Sequence, residues 1–423
     1  MKRISAGMGV VLLAAAFSIS AQNYPINARI ASLGGTYIVD DMSDLLRYPG
    51  YIDAYKNAAQ VTFVSPIIGI AGIGDMVSLG VVANRGLLLT DFYTRGLAEL
   101  SGFTSEPGYN YNLYGGPFTA GAAGDLTQPQ NIPHVLLGLN LGAVSLGFDL
   151  FMEMSSYSVS VTDRPVAPGV ERNVKLHASI MNPGAIIGLN LNSDVVTLAF
   201  KLGGGFPSIH GKYEETGQPD LEVTSEKNYY VVGGAELGIP LPGAKFKAGA
   251  QLHLERYQFS DQTNTLSDVF TYYQIPVFAG FTKDLGNDMS VSAMYTIALT
   301  ENIVAPETDG YFAQIGNQVN LFHIISACAE KKWQSVWIFD AVAARAGILY
   351  PIANTIIHSN GEDADGSFSS REKLTTTYAN VAPTVGLGAN RGPFSLDLSI
   401  NPTAWNGLMA GPQVAVCTAT FKF

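Results

Sequence analysis

From Ala58 onward, apolar and polar residues alternate one by one through segment after segment. In residues 144–154, Leu146, Phe148, Leu150, Met152 and Met154 fall on one side, with Ser145, Gly147, Asp149 and Glu153 on the other. The last stretch, 409–423, behaves the same way. Gln413, Ala415, Cys417, Ala419, Phe421 and Phe423 share one face; Val414, Val416, Thr418, Thr420 and Lys422 share the other. In a soluble protein a final strand ending on an exposed Phe would be an aggregating edge, whereas a closed barrel in a bilayer both pairs and covers it. A soluble sandwich also alternates, so the connections decide. Short turns at 141–142, 192–193, 240–243, 285–287, 331–334 and 390–392 alternate with longer polar loops near 157–173, 205–225, 260–266, 301–316, 357–372 and 402–410. Tight turns at one end and long loops at the other are the plan of a transmembrane barrel.

The predicted fold is therefore all-β: a transmembrane antiparallel β-barrel of about 14 strands. Counting back from the C-terminus puts strands near 411–423, 393–402, 373–389, 336–350, 317–330, 288–300, 267–284, 244–259, 226–239, 194–204, 174–190, 143–156, 133–140 and 75–84. Residues 58–65 read as a further strand which, with 67–73, would raise the count to sixteen. A transmembrane helix over 66–83 competes for part of this region. Asp75 would cost it about 2.5 to 3.5 kcal/mol, and its Gly and β-branched content favours strands.

Composition supplies an address. Of 423 residues only 14% are charged, against 47% hydrophobic, with 45 Gly, 21 Phe and 20 Tyr; soluble domains carry about 25% charged residues. Lys2 and Arg3, the apolar run 10–17 and the small residues Ser18, Ser20 and Ala21 read as a signal peptide over 1–21. No Cys follows it, which excludes a lipoprotein anchor. Cys328 and Cys417 read as small apolar fillers rather than a disulfide. Without Lys2 and Arg3 the formal charge of −11 becomes about −13, which argues against nucleic acid as a partner. The terminal strand resembles those of bacterial outer-membrane proteins, which commonly end in Phe. That likeness implies an outer-membrane location, lipid as surroundings, and recognition of the strand ending at Phe423 by the barrel-assembly machinery.

Residues 22–57 do not alternate. They carry Ala28-Arg29, Gly34-Gly35, Asp40-Asp41, then Asp44, Arg47 and Tyr48-Pro49-Gly50. This order resembles the N-terminus of the FadL-type channel superfamily and its PorV-like relatives, with Tyr-Pro-Gly in place of Asn-Pro-Ala. The resemblance implies an N-terminal hatch or plug over 22–57, with Arg29, Gly34, Gly35, Asp40, Asp41, Asp44, Arg47 and Pro49 as its marked residues, ahead of a barrel over 58–423. It also implies passive uptake or binding of small hydrophobic compounds through a hatch-gated lumen. The alternative is a non-transporting barrel, PorV-like, that binds a secreted or periplasmic protein at its outer loops. A plain periplasmic linker is the bland reading of 22–57.

Opposite the lipid-facing rows stand Asp149, Glu153, Lys201, Glu236, Lys245, Lys247, His253, Glu255, Arg345 and Asp397. A charge-selective pore would carry one sign; this mixture fits ion pairs bracing a narrow lumen. The long connection 85–133 holds Phe103, Tyr109, Tyr111, Tyr114 and Phe118, as a lid or ligand platform or as aromatics packed among themselves. Asp40, Asp41 and Asp44 are too irregular for a calcium loop; pairing with Arg29 or Arg47, or capping a turn, suits them better. No metal or cofactor is expected. His177 and Ser179 share a strand face at the spacing of outer-membrane phospholipase A, but Ile180-Met181-Asn182 follows and no orienting group stands out, so no catalytic residue and no enzyme is expected.

Overall fold

The computed structural model describes residues 28–33, 35–36, 38–62, 66–83, 89, 130–131, 133–167, 170–217, 220–260, 269–305, 318–363, 366–376, 381–400 and 415–423. Its strands are β1 Ala58–Thr62, β2 Ile67–Ile73, β3 Val77–Ala83, β4 Gln130–Asn131, β5 His134–Asn140, β6 Val144–Ala167, β7 Val170–Asn192, β8 Thr197–Gly205, β9 Ser208–Glu215, β10 Leu221–Leu241, β11 Ala244–Ser260, β12 Val269–Gly286, β13 Met289–Ala305, β14 Gln318–Val336, β15 Phe339–Asp363, β16 Gly366–Thr376, β17 Ala382–Arg391, β18 Phe394–Ile400 and β19 Ala415–Lys422. All form one antiparallel sheet. It closes where β1 meets β19, with Ala58 opposite Lys422 and Thr62 opposite Thr418. Phe423 extends the seam by donating its N–H to the Asn57 carbonyl at 2.9 Å. β4 and β5 share β6, β8 and β9 share β7 and β10, and β16 and β17 share β15, which leaves sixteen positions around the ring.

The barrel thus has sixteen strands, not about fourteen. The two beyond that count are β1 and β2, the segments 58–65 and 67–73 of the sixteen-strand alternative, and the weaker signal in β2 has a physical reason. Ile67 and Ile73 of β2 face outward, while Ile68 and Ile70 face inward and are covered by apolar residues of the N-terminal segment. Both faces are apolar, so the period-two signal weakens. Three loops were also misplaced. Residues 157–173, 205–225 and 357–372 are largely hairpins of long strands, β6 with β7, β9 with β10, and β15 with β16. The turn expected at 331–334 comes later, after β14 reaches Val336, with Ser335 and Trp337 at φ of 52° and 55°.

The barrel is inside-out in polarity. Val135, Leu137, Leu150, Met152, Leu252, Val277, Ile325 and Leu387 face outward, whereas Asp149, Glu153, Gln251, Glu255, Gln274, Thr296 and Asn320 are buried inside. No helix among the described residues is long and apolar enough to cross a membrane; the exposed apolar band on strands is what a bilayer would cover. The wall is uneven in height. β1 has 5 residues and β2, β3, β5 and β18 have 7 each, while β6, β7 and β15 have 23 to 25. At about 3.3 Å per residue, β1 rises only about 17 Å.

Candidate functional site

The N-terminal segment lies against the inner wall. Helix α1 (Ala28–Ser32) sits over β17–β19: the Ala28 N–H donates to the Thr418 hydroxyl at 2.8 Å, and the Thr384 hydroxyl donates to the Ser32 carbonyl at 2.9 Å. Gly35 ends the helix in the left-handed region at φ 71°, its N–H reaching the Ile30 carbonyl at 2.9 Å. Ile38 then packs with Phe278 and Met294. Helix α2 (Asp44–Arg47) and the 3₁₀ turn Pro49–Tyr55 carry Leu45, Leu46 and Ile52, which pack with Met42 onto Ile68, Ile70, Val82 and Leu136. The Pro49-Gly50 backbone lies flat on β6 and β7. A Cβ on Gly147 or Gly188 would overlap it, and one on Gly50 would come within 2.8 Å of the Asn190 nitrogen.

Two ionic clasps hold the same segment. In the first, Arg47 reaches Glu236 at 2.9 Å and Asp44 at 3.2 Å, while Lys247 reaches Asp40 at 3.0 Å, Glu236 at 3.2 Å and Asp44 at 3.8 Å. Lys245 also pairs with Asp40, and the Tyr51 hydroxyl donates to Glu236 at 3.1 Å. Arg47 and Glu236 are almost fully buried, so each would be costly without the other. Burial pushes the Asp44 carboxyl up to about 6 against the pull of Lys247 and Arg47. Burial also pushes Asp40 up, but Lys247 and Lys245 outweigh it and hold Asp40 below its ordinary value. Asp41 and Asp44 cap the turn: Asp41 accepts the Ser43 N–H and Asp44 accepts the Asp41 N–H. In the second clasp Arg29 donates to both oxygens of Glu330 at 3.4 Å. Glu330 also takes Arg345 at 2.5 Å and Lys332 at 3.2 Å, and Arg345 continues to Asp397 at 2.6 Å.

Farther round the wall the other charged candidates are satisfied by neighbours. Asp149 meets His134 Nδ1 at 2.9 Å, Glu153 accepts from Asn182 at 2.8 Å, Lys201 donates to Gln251 at 2.9 Å, and His253 meets Glu255 at 2.7 Å. These groups interleave with an arc of rings, His134, Phe151, Tyr230, His253 and Tyr272, with successive centroids 5.0, 6.4, 6.1 and 6.1 Å apart. The arc crosses β7 and β8 because both offer glycine there. A Cβ on Gly184 would overlap the Phe151 ring, and one on Gly205 would come within 2.7 Å of Tyr230. Tyr257, Phe259 and Phe270 add a second buried aromatic group, with Tyr257 and Phe270 stacked at 5.4 Å. Lys201 links the wall to the segment, its ammonium 5.6 Å from the centre of the Tyr48 ring.

All ten charged residues marked on the strands lie on the inward face. Seven of the eight residues marked in the segment are described, and Arg29, Asp40, Asp44, Arg47 and Pro49 contact the wall; Gly34 lies outside the described residues. So do Phe103, Tyr109, Tyr111, Tyr114 and Phe118. His177 and Ser179 have the parity opposite to the buried Ile180 and Asn182, so they stand on the outer face, where His177 neighbours His210 at 6.2 Å. Cys328 and Cys417 are free thiols. Glu330, the hub of the second clasp, closes the expected strand 317–330 but was not marked; its shared parity with Ser326 and Cys328 was the available signal. The glycine seats were missed too, although Gly147 and Gly188 both fall on inward positions.

No family model and no curated protein matches this chain. Among solved structures it is similar to a FadL homologue of Pseudomonas aeruginosa, at 11% identity and TM-score 0.47 over 95% of this chain and 100% of that one. The Pseudomonas putida toluene transporter TodX is similar at 10% identity and TM-score 0.41, over 94% and 98% of the two chains. The Ralstonia pickettii toluene transporter TbuX is similar at 11% and 0.37, over 95% and 99%. The first of these is by its description of the group that the N-terminal pattern resembles. Likenesses this distant leave the function to be read from the chain's own residues.

Proposed function

We propose that this chain is an outer-membrane β-barrel for passive uptake of small hydrophobic compounds, in which the N-terminal segment acts as the gate. The observation that carries the reading is the arc of rings from His134 to Tyr272 on the inner wall, with His134, Phe151 and Tyr230 buried, on the same wall from which Lys201 reaches Tyr48 of the segment. Successive rings, some stacked and some tilted or edge-on, offer a small apolar molecule a series of similar contacts without one deep well. The toluene-transporter descriptions of two distant structural neighbours are of the same kind. Passage requires the segment to shift, since its apolar residues and both clasps fill the lumen beside the arc. The strand ending at Phe423 is the proposed handle for the barrel-assembly machinery.

The test is uptake of a labelled hydrophobic compound into liposomes carrying the native barrel, a variant lacking residues 22–57, and a Phe151→Ala/Tyr230→Ala variant. Native uptake that rises several-fold without the segment and falls several-fold without the two rings is the expected result. Absence of uptake in the native and truncated forms alike would sink the transport reading and leave the interaction-barrel alternative.

A further inference from the structure

Between the two clasps a cavity of about 270 Å³ opens between the N-terminal segment and the β11–β14 wall. It lies toward the tight-turn end, beside the turns at Gly243 and at Asn287-Asp288. Its charged lining is three cations, Arg29, Lys245 and Lys332, and two carboxylates, Asp40 and Glu330. The carboxylates are over-subscribed. Glu330 is divided among Arg29, Lys332 and Arg345, and Asp40 between Lys245 and Lys247. Side chains of Arg29, Lys245 and Lys332 keep 26, 32 and 46% of their surface open, so their remaining N–H groups are free to reach solvent. Ser290, Ser292 and Thr282 add hydroxyls, with Thr282 and Ser292 bonded to each other at 2.8 Å. In a chain of net charge −11 this hollow has one more cation than carboxylate in its lining, with the hydroxyls and the apolar Leu33, Ile38 and Val39 completing it. At about 30 Å³ per water it holds roughly nine waters, the room a small anion needs.

We propose that this cavity binds a small dianion, a dicarboxylate or inorganic phosphate, through Arg29 on the segment and Lys245 and Lys332 on the wall. An anion held from both sides ties the segment to the barrel, because charge-assisted bonds form only while Arg29 stays docked. The site is separate from the aromatic arc and does not depend on hydrophobic transport.

Equilibrium dialysis of the purified barrel against labelled succinate and labelled phosphate, at constant ionic strength set with sodium chloride, tests it directly. Saturable binding of at least one of them is expected, with its half-saturating concentration raised tenfold or more in Lys332→Met and in Lys245→Met. Preference for succinate assigns a dicarboxylate site, and preference for phosphate a tetrahedral one. Cys328 lines the same cavity, so in a Cys417→Ala background the bound anion should slow its labelling by a neutral maleimide at least threefold, while the uncharged succinamide should not. Lack of saturable binding of both anions, or affinity unchanged in Lys332→Met, would overturn the proposal. Should Lys245→Met fail to give a folded barrel, the open Lys332 position decides alone.

Discussion

The N-terminal segment meets two unlike walls. Toward β2, β3 and β5 it presents Met42, Leu45, Leu46 and Ile52 to Ile68, Ile70, Val82 and Leu136. Toward β10 and β11 it presents Asp40, Asp44 and Arg47 to Glu236, Lys245 and Lys247. The greasy side adheres without direction, since apolar burial scales with area and tolerates sliding. The charged side fixes one position, because displacement takes Arg47 from the buried Glu236 and leaves that carboxylate to Lys247 alone. Adhesion and register are therefore supplied by opposite faces, which holds a segment of few residues in one position on the inner wall.

Breaking the charged side should have the largest effect. Arg47→Met leaves the buried Glu236 and Asp44 to share Lys247, and docking is expected to weaken by about 3 kcal/mol, read as protease sensitivity of residues 28–55 in the folded barrel. Adding Glu236→Gln should restore part of that protection; a double variant as sensitive as the single one would contradict the pairing. On the greasy side, Leu45→Ala should cost about 2 to 4 kcal/mol by the same assay, with the arc and the second clasp unaltered. Gly188→Val tests the flat seat under Pro49 and Gly50. Overlap with that backbone should cost about 1 to 3 kcal/mol or displace the segment, while β6–β7 pairing survives, as shown by the heat-dependent gel mobility of the barrel. The smallest effect is on pH. Burial raises Asp44 to about 6, so its contribution to docking is complete below the ordinary carboxylate range near 4 and is lost as pH rises from about 4 to 6. Asp40 is lowered, so its contribution runs the other way, present above about 4 and lost in more acid solution. Protection should therefore decline from pH 4 to 6 in the native barrel, and Asp44→Asn should flatten that decline.

Much of the wall was legible because period-two alternation reports its two faces directly. Where both faces are apolar, as in β2, the signal weakened, and the sixteen-strand count stood only as the alternative to about fourteen. Likewise the segment's charged residues were marked by their resemblance, and a pairing of its aspartates with Arg29 or Arg47 was expected and is met by Asp44 with Arg47, but their partners on the wall were not legible. Arg47 finds Glu236 across 189 positions and Arg29 finds Glu330 across 301. Parity assigns a residue to the inside and says nothing of its depth or of what lies opposite. The ring arc was hidden for a related reason: Phe151 and Tyr230 come together only over β7 and β8, where Gly184 and Gly205 leave the surface bare.

What the sequence determined by itself was the class of object: alternating strands, tight turns at one end, a terminal strand that must be paired, and an N-terminal stretch unlike the rest. These are local properties, set by side-chain period and turn chemistry within a few residues. Only the tertiary structure decided that β1 and β19 close a sixteen-strand ring. It alone seated the segment on grease at one side and charge at the other, and left the hollow between Arg29, Lys245 and Lys332. Closure, register and opposition depend on residues hundreds of positions apart meeting at a fixed depth, and no local pattern encodes that depth.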